Sequence, residues 1–462
     1  MTATPASTPS GSTTVAVPLR RLGVRHAMSV CVGMVIGAGI FKTSPNVAAS
    51  LATDSHLYIA WAVGGVLSLI GALCFAEMAA AFPDAGGDYH FLRRAYGQRL
   101  GFLFAWSRFS VIHTGSMALL AFVFGDYLAQ LVALGPYGSA LFAALVIALL
   151  TGLNLRGVQI GIGTQVGLML LVLFGLCCVG LAGAWLSLGN LPAHGPAQHV
   201  VKGTTDLGVA MVFVFLAYGG WSDAATLSAE MRDERRGIVW ALLGGLLVVA
   251  ALYLLANWAF VRGLGMDGLA KSAAPAADLM RHAFGRWGEV LIVGVVAITS
   301  ISVMNAILIA GARTTYAAAR DMPGLEVLGA WDESRGGPRR AILAMGVVAL
   351  GLVLFGTLTR GGFETMVDYL SPVYWFFLLL SGGAVVVLRW RHPDVERPFR
   401  VPLFPLLPIM FCATSAYLLY SSLVYTKVGA LVGVAVLAIG ALLIAGLFAR
   451  AGRIGPDSAV RT

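Results

Sequence analysis

The sequence predicts an all-α integral membrane protein of about twelve transmembrane helices, in which a five-helix unit is repeated with inverted topology. Three observations support this fold class. Hydrophobic residues make up 58% of the 462 residues and charged residues only 11%, whereas soluble domains carry about 25% charged residues. About twelve apolar segments are long enough to cross a bilayer. The first and the sixth of these segments are both interrupted by glycines, which is the pattern of an inverted repeat.

The predicted spans follow one another with short connections, and no soluble domain is inserted between them. The longest outer connection, 264–286, is expected to carry a short helix near 275–284. The predicted spans cover residues 24–50, 57–82, 99–130, 138–155, 158–186, 205–231, 237–262, 287–319, 340–358, 364–388, 403–424 and 428–450.

Orientation follows from the basic residues. Most of the 31 Lys and Arg residues lie in alternate connections, and such a bias marks the cytoplasmic side. The sequence therefore predicts a multi-pass protein of the cell (inner) membrane with both termini in the cytoplasm. The expected organisation is a disordered N-terminus at 1–19, repeats at 20–187 and 205–388, two last helices within 389–450, and a cytoplasmic tail at 451–462.

The first span is predicted to be a broken helix. Gly37 and Gly39 destabilise a helix, and Thr43-Ser44-Pro45 offers capping chemistry for a second, short helix. We expect residues 37–40 to be unwound. Unwound backbone at membrane depth is tolerated only where protein or a water-filled cavity covers it, and its free N–H and C=O groups can hold an anionic and a cationic group side by side. A glycine packing notch or a simple kink is the alternative.

The sixth span repeats this pattern. Its middle contains Gly219-Gly220, followed by Trp221 and the cap candidates Ser222 and Asp223. The predicted break covers residues 217–220. Two interrupted spans, five spans apart, predict two breaks that face each other between the repeats.

Four motifs resemble those of the amino acid–polyamine–organocation (APC) superfamily of permeases, and within it the L-type amino acid exchanger branch. They occur in the family's order along the chain, and the resemblance covers about 20–450. The motifs are VGMVIGAGIF at 32–41, CFAEMAAAFPDAGGDYHFLRRAYG at 74–97, FLAYGGWSDAATLSAEMRD at 215–233 and LRWRHPDVERPFRVPLFPLLP at 388–408.

The resemblance implies the five-plus-five inverted-repeat fold of that superfamily with two additional C-terminal helices, and carrier-type transport of amino acids by alternating access. Both charges of an amino acid zwitterion must be met when it leaves water. Backbone N–H groups of the first break would bind the carboxylate, and carbonyls of both breaks would bind the ammonium group. The implied substrate-binding residues are Ile36, Gly37, Ala38, Gly39, Ile40, Phe215, Leu216, Ala217, Tyr218 and Gly219.

Leu216 departs from the family pattern, because many relatives place an aromatic gate there. A smaller aliphatic side chain could widen the pocket or weaken the occluded state. Tyr218 and Trp221 could compensate, although aromatic residues on membrane helices more often serve as packing or interfacial anchors.

A second polar group lies on the eighth span, where sodium-coupled proteins of this fold complete a cation site. The candidates are Thr299, Ser300, Ser302 and Asn305. Hydroxyls in membrane helices also bond to their own backbone, which is the alternative. Many sodium-independent relatives carry a lysine on the fifth span, but the corresponding position falls near Val172. Sodium, proton and uncoupled exchange therefore all remain open.

Ionisable residues within the spans point to a gate on the cytoplasmic side. We expect Arg108 to snorkel or to pair with Glu77 or Glu230, and Trp221 to belong to the same gate. His113, one turn deeper, is a candidate proton site.

The sequence argues against several other classes. It contains no nucleophile–base arrangement, phosphate loop, metal-spaced His/Cys cluster or nucleic-acid module, so we expect no enzyme, cofactor or metal site. The outer connection 131–137 lacks the cysteine through which animal L-type exchangers bind a heavy chain, so no disulfide-linked partner is expected. The alternatives to an amino acid carrier are a polyamine or organocation carrier, and a channel or nutrient sensor with a transporter fold.

Overall fold

The architecture is all-helical. A computed structural model describes residues 23–37, 39–84, 86–157, 162–188, 206–225, 237–320, 327–332, 337–359, 361–425 and 428–451. Within these ranges the only β pairing is an isolated bridge between Asp332 and Gly337. The expected N-terminal segment 1–19 and all of the expected tail 451–462 except its first residue lie outside the described residues.

The helices are numbered in chain order. A π-helical turn, Arg108–His113, joins α5 to α6. The helices are α1 Val24–Val35, α2 Ile40–Ser50, α3 Asp54–Ala81, α4 Asp88–Tyr96, α5 Gln98–Ser107, α6 Thr114–Leu131, α7 Gly138–Leu155, α8 Ile162–Leu188, α9 Leu207–Tyr218, α10 Gly237–Lys271, α11 Pro275–Arg320, α12 Arg339–Leu358, α13 Gly362–Arg391, α14 Leu406–Tyr425 and α15 Val428–Ala451.

The number of spans agrees with the sequence prediction. Eleven helices or helix runs of the described chain are long and apolar enough to cross a membrane, and the pair α1 and α2, bent by 50°, makes a twelfth. The chain is thus a multi-pass membrane protein. The division into two inverted repeats stays a prediction.

Side chains and glycines set the ends of several helices. Thr53 caps α3 by accepting a hydrogen bond from the His56 amide at 3.2 Å, and Asp206 caps α9 by accepting from the Val209 amide at 3.0 Å. Gly265 and Gly285, with φ of 69° and 64°, kink α10 and α11, which glycine allows because it lacks a Cβ.

The connection 264–286, which was predicted to lie on the outer side, is more helical than expected. The helix predicted near 275–284 is confirmed, because α11 begins at Pro275 and kinks at Gly285. The segment before it differs from the prediction, since α10 continues past its kink at Gly265 as far as Lys271.

The interrupted helices lie at the centre of the bundle. The helix α10 packs against α1, α2 and α3, and α9 packs against α2 and α3. Trp61, Tyr218 and Tyr253 are completely buried there and form one aromatic cluster, with ring centroids 5.1 to 5.9 Å apart. Close aromatic packing of this kind holds the helices around the breaks in fixed positions.

Candidate functional site

The first break lies between α1 and α2. Ile36 leaves the helix with ψ of 78°, and the Gly37 amide bonds to the Val35 carbonyl oxygen at 2.8 Å. Gly39 already has helical angles and precedes α2, so Ile40 is helical rather than unwound as predicted. Its amide still belongs to the first turn, where helix N–H groups have no intrahelical acceptor. Ala38 lies outside the described residues.

The second break begins later than predicted. The helix α9 continues through Ala217 and Tyr218, so these residues are not unwound; the chain turns at Gly219 and Gly220. The reason is local. Gly220 has a φ of 102°, which only glycine adopts readily. Residues 215–218 instead form the last turn of α9, where helix carbonyls lack intrahelical donors.

The two breaks are in backbone contact. A Cβ on Gly39 would lie 3.9 Å from the Ala217 Cα atom, and a Cβ on Gly220 would clash with the Met34 carbonyl oxygen. The buried Tyr253 hydroxyl on α10 lies 3.1 Å from the Val35 carbonyl oxygen and 2.9 Å from that of Ala217. One side chain therefore joins the end of α1 to the end of α9.

The side chains of the sixth span separate into two groups. Tyr218 donates to the Trp61 carbonyl oxygen at 3.1 Å. Trp221 packs against Phe75 and Phe411, with ring centroids 5.1 and 6.0 Å away. These contacts anchor the break to α3 and α14. Leu216, by contrast, is only half-buried between two buried neighbours.

The four polar candidates on α11 differ in their contacts. Thr299 donates to its own helix at the Val295 carbonyl oxygen, at 2.8 Å. The side-chain oxygen of Asn305 accepts a hydrogen bond from the side-chain amide of Asn154 on α7, at 2.7 Å. Ser302 is half-buried. Ser300 is fully buried, and its hydroxyl has no hydrogen-bond partner within the described ranges, so this buried hydroxyl has unused bonding capacity.

The expected pairing of Arg108 with Glu77 is wrong. Arg108 bonds to Asp223, just after the second break, at 2.7 Å. Glu77 has other partners: its carboxylate accepts hydrogen bonds from the Arg389 side chain at 2.7 Å and from the Val401 backbone amide at 2.7 Å. A buried carboxylate satisfied in this way needs no further cation. The alternative partner, Glu230, lies outside the described residues.

The π-turn explains the position of Arg108. It brings residues five apart together, and the Arg108 Nε donates to the His113 Nε2 at 3.1 Å. Since Nε2 accepts, the ring proton of neutral His113 belongs on Nδ1. A second proton would have to bind Nε2, facing the guanidinium group, which argues against His113 as a proton acceptor.

A third network, which was not predicted from the sequence, closes the opposite side of the breaks. The Lys42 ammonium group on α2 lies 2.6 Å from Asp126 on α6 and donates to the Ala273 carbonyl oxygen at 2.9 Å. The Tyr127 hydroxyl donates to the Phe41 carbonyl oxygen at 2.8 Å. The sequence did contain a signal for this network, because a lysine within an apolar span needs a charged or polar partner.

The remaining missed residues are Tyr253, Asp223 and Tyr374. Tyr374 on α13 lines a cavity together with Ser222, and its hydroxyl lies 3.6 Å from where a Cβ of Gly219 would be. From the sequence, Asp223 was predicted only to cap a helix. Nothing in the sequence distinguished Tyr253 except that it is a tyrosine within an apolar span.

Comparison with known proteins agrees with this architecture. Residues 22–448 match the amino acid permease family. The chain belongs to this family. The permease is 27% identical to the b(0,+)-type amino acid transporter 1 of Mus musculus, over 88% of this chain and 83% of the relative. It is 26% identical to the serine/threonine exchanger SteT of Bacillus subtilis, over 88% and 91%. It is 28% identical to the large neutral amino acids transporter small subunit 2 of Homo sapiens, over 94% and 82%.

These relatives agree with the L-type branch of the APC superfamily to which the four sequence motifs pointed. The permease is therefore a membrane transporter of amino acids and not an enzyme.

Proposed function

We propose that this permease is a secondary active exchanger that binds the zwitterion of a neutral α-amino acid at the two helix breaks and carries it across the cell membrane by alternating access. The observation that carries the proposal is the backbone contact of the breaks, bridged by Tyr253. Two helix ends of opposite polarity meet there, and an amino acid has two opposite charges to place.

The first turn of α2 suits the carboxylate. Its amide groups at Gly39, Ile40 and Phe41 lack intrahelical acceptors, and the helix dipole favours an anion at this end. Lys42 amide and Thr43 amide are already used, since both donate to the Gly39 carbonyl oxygen at 2.9 Å. The carboxylate is thus expected on the first three amides.

The last turn of α9 suits the ammonium group. The carbonyls of residues 215–218 point beyond the helix end, where the dipole favours a cation. The Ala217 carbonyl oxygen is already bonded to Tyr253, and that of Leu216 accepts from the Gly219 amide at 3.2 Å, which leaves those of Phe215 and Tyr218 as the proposed acceptors.

The substrate class follows from charge. Neither 36–40 nor 215–219 contains a charged residue, and an uncompensated charge on a substrate side chain is costly in a buried site. The names of two relatives, a serine/threonine exchanger and a large neutral amino acid transporter subunit, support neutral substrates. A polyamine, with several cationic groups, fits such a site poorly.

Two ion pairs, one on each side of the breaks, would act as gates that open in turn. The pair Lys42–Asp126 ties α2 to α6 on one side of the breaks. The pair Arg108–Asp223 ties the π-turn to the segment after α9 on the other side. The side of the breaks that contains Arg108 and Asp223 is called here the arginine-rich side. We propose that it faces the cytoplasm together with both termini, as the bias of basic residues indicates. No disulfide-linked heavy chain is part of the proposal.

Counter-transport in proteoliposomes tests the function. Vesicles preloaded with unlabelled L-serine should accumulate labelled L-serine faster than empty vesicles, and uptake should saturate. A flux that does not saturate, or that accepts putrescine in place of L-serine, would contradict the proposal.

Substitution of Gly39 tests the site. A Cβ there meets nothing closer than 3.9 Å, so Gly39→Val should fold, yet fill the volume that the carboxylate needs. Gly152→Val, on α7 with open space around its Cβ, is the matched control. We expect exchange to be lost only in the Gly39 variant; normal exchange by both would remove the first break from the site.

A further inference from the structure

A small cavity lies on the arginine-rich side, directly next to the second break. It is lined by Asp88 of α4, Arg108, Ser222, Asp223 and Tyr374. The Tyr374 hydroxyl lies 3.6 Å from where a Cβ of Gly219 would be. The cavity thus lies against the proposed substrate site. Because Ser222 and Asp223 belong to the segment that follows α9, a change of charge in the cavity changes the forces on that segment.

The described lining of the cavity contains two carboxyl groups and one cation. Arg108 carries one positive charge and is paired with Asp223 at 2.7 Å. Asp88 is nine-tenths buried, and its Oδ1 atom has no hydrogen-bond partner in the part of the chain that the structure describes. If Asp88 were ionised as well as Asp223, a buried carboxylate would lie without a cation of its own, which is unfavourable.

The charged groups around Asp88 come from each element packed against α4. Helices α5 and α13 pack against it; the π-turn that follows α5 contributes Arg108, α13 contributes Tyr374, and Asp223 faces Asp88 from beyond α9. On α4 itself, His90 pairs with Asp84 at 3.3 Å. Arg93 and Arg94 belong to the last turn of α4, whereas Asp88 begins it.

Burial and the Asp223 charge raise the pKa of Asp88 to about 8, although Arg108 opposes this shift. The positive end of α4 offsets part of the same cost. The carboxyl group of Asp88 therefore holds its proton at neutral pH as long as this arrangement lasts.

We propose that Asp88 is a proton-binding site, loaded while Arg108 is paired with Asp223 and emptied when that pair opens, so that each opening of the arginine-rich side releases one proton. The inference rests on the proposed function and makes the rate of exchange depend on pH. Once ionised, Asp88 competes with Asp223 for the single guanidinium group, and this competition frees the segment after α9 to move away from the π-turn.

The direction of the pH effect follows from linkage. In the open state water reaches Asp88, and its pKa returns towards the ordinary value of about 4. Between these two pKa values only the closed state holds the proton. Closing is therefore favoured at low pH, and opening becomes up to about tenfold more favourable per pH unit as pH rises. Above about 8 the closed state also loses its proton, and the dependence ends.

The experiment is L-serine counter-transport from pH 6 to pH 9, with equal pH on both sides of the vesicle. Wild-type exchange should rise between pH 6 and pH 8 and level off above. Asp88→Asn, which cannot release a proton, should give a flat profile. Asp84→Asn, on the exposed approach to α4, is the matched control and should follow the wild type. Equal pH profiles of wild type and Asp88→Asn would overturn the inference.

A second variant keeps the test decisive if Asp88→Asn does not fold. Asp223→Asn leaves Asp88 as the remaining carboxyl partner of Arg108 in the cavity, so its pKa should fall and the rise in exchange should move to lower pH. An unmoved profile would contradict the assignment. Absence of L-serine exchange by the wild type at every pH would instead overturn the proposed function itself.

Discussion

The hydroxyl group of Tyr253 lies 2.9 Å from the carbonyl oxygen of Ala217, and the same oxygen atom of Tyr253 lies 3.1 Å from the Val35 carbonyl oxygen. A tyrosine has a single hydroxyl proton, so the two carbonyls share it. This arrangement holds the end of α1 against the end of α9 through a third helix. Any movement of α1 relative to α9 must break or redistribute these hydrogen bonds.

Removal of this hydroxyl should weaken substrate binding. Tyr253→Phe keeps the ring and its packing against Trp61 and Tyr218, but leaves the two carbonyls without the bridge. A hydrogen bond of this kind contributes about 0.5–1.5 kcal/mol, so the dissociation constant of L-serine should rise about 2- to 12-fold. Titration calorimetry in detergent measures this. Tyr417→Phe, on the exposed face of α14, is the control, and equal effects of both variants would contradict the bridging role.

The pair of Lys42 and Asp126 should stabilise the closed arrangement of α2 and α6. Lys42→Met leaves Asp126 without its cation in a largely buried position, and breaking such a pair costs about 3–5 kcal/mol. We expect a lower thermal midpoint and slower exchange. The double variant Lys42→Met/Asp126→Leu removes both charges and should recover most of the thermal stability. A double variant that is no more stable than the single one would show that the ion pair is not the relevant interaction.

Leu216 should set the size limit of the substrate. Its side chain is half-buried beside two buried neighbours. Leu216→Phe adds bulk, and overpacking costs about 1–3 kcal/mol, or about 5- to 150-fold in affinity. The loss should fall on large amino acids and spare alanine and glycine. Competition against labelled L-serine by small and large amino acids measures the profile, and an unchanged ranking would exclude Leu216 from the pocket.

The sequence predicted the span count and the existence of both breaks because these depend on local properties. Apolar length decides what can cross a membrane, and glycine decides where a helix can unwind. The exact ends of the breaks were shifted. Ala217 and Tyr218 stay helical because the position that needs positive φ is Gly220, as its value of 102° shows.

The partners of the buried charges could not be predicted in the same way. Arg108 was expected near Glu77, but the π-turn redirects its side chain towards His113 and Asp223. Glu77 is instead satisfied by Arg389, more than 300 positions further along the chain. Such pairings depend on how distant helices pack, and a single sequence does not contain that information.

The central claim is that the amino acid lies between the two breaks. An experimental structure of the protein with bound L-serine tests it most directly. The claim predicts the substrate carboxylate within hydrogen-bond distance of the Gly39 and Ile40 amides, and the ammonium group at the carbonyls that end α9. The claim would be contradicted if L-serine were bound elsewhere while the two breaks remained in backbone contact with no ligand between them.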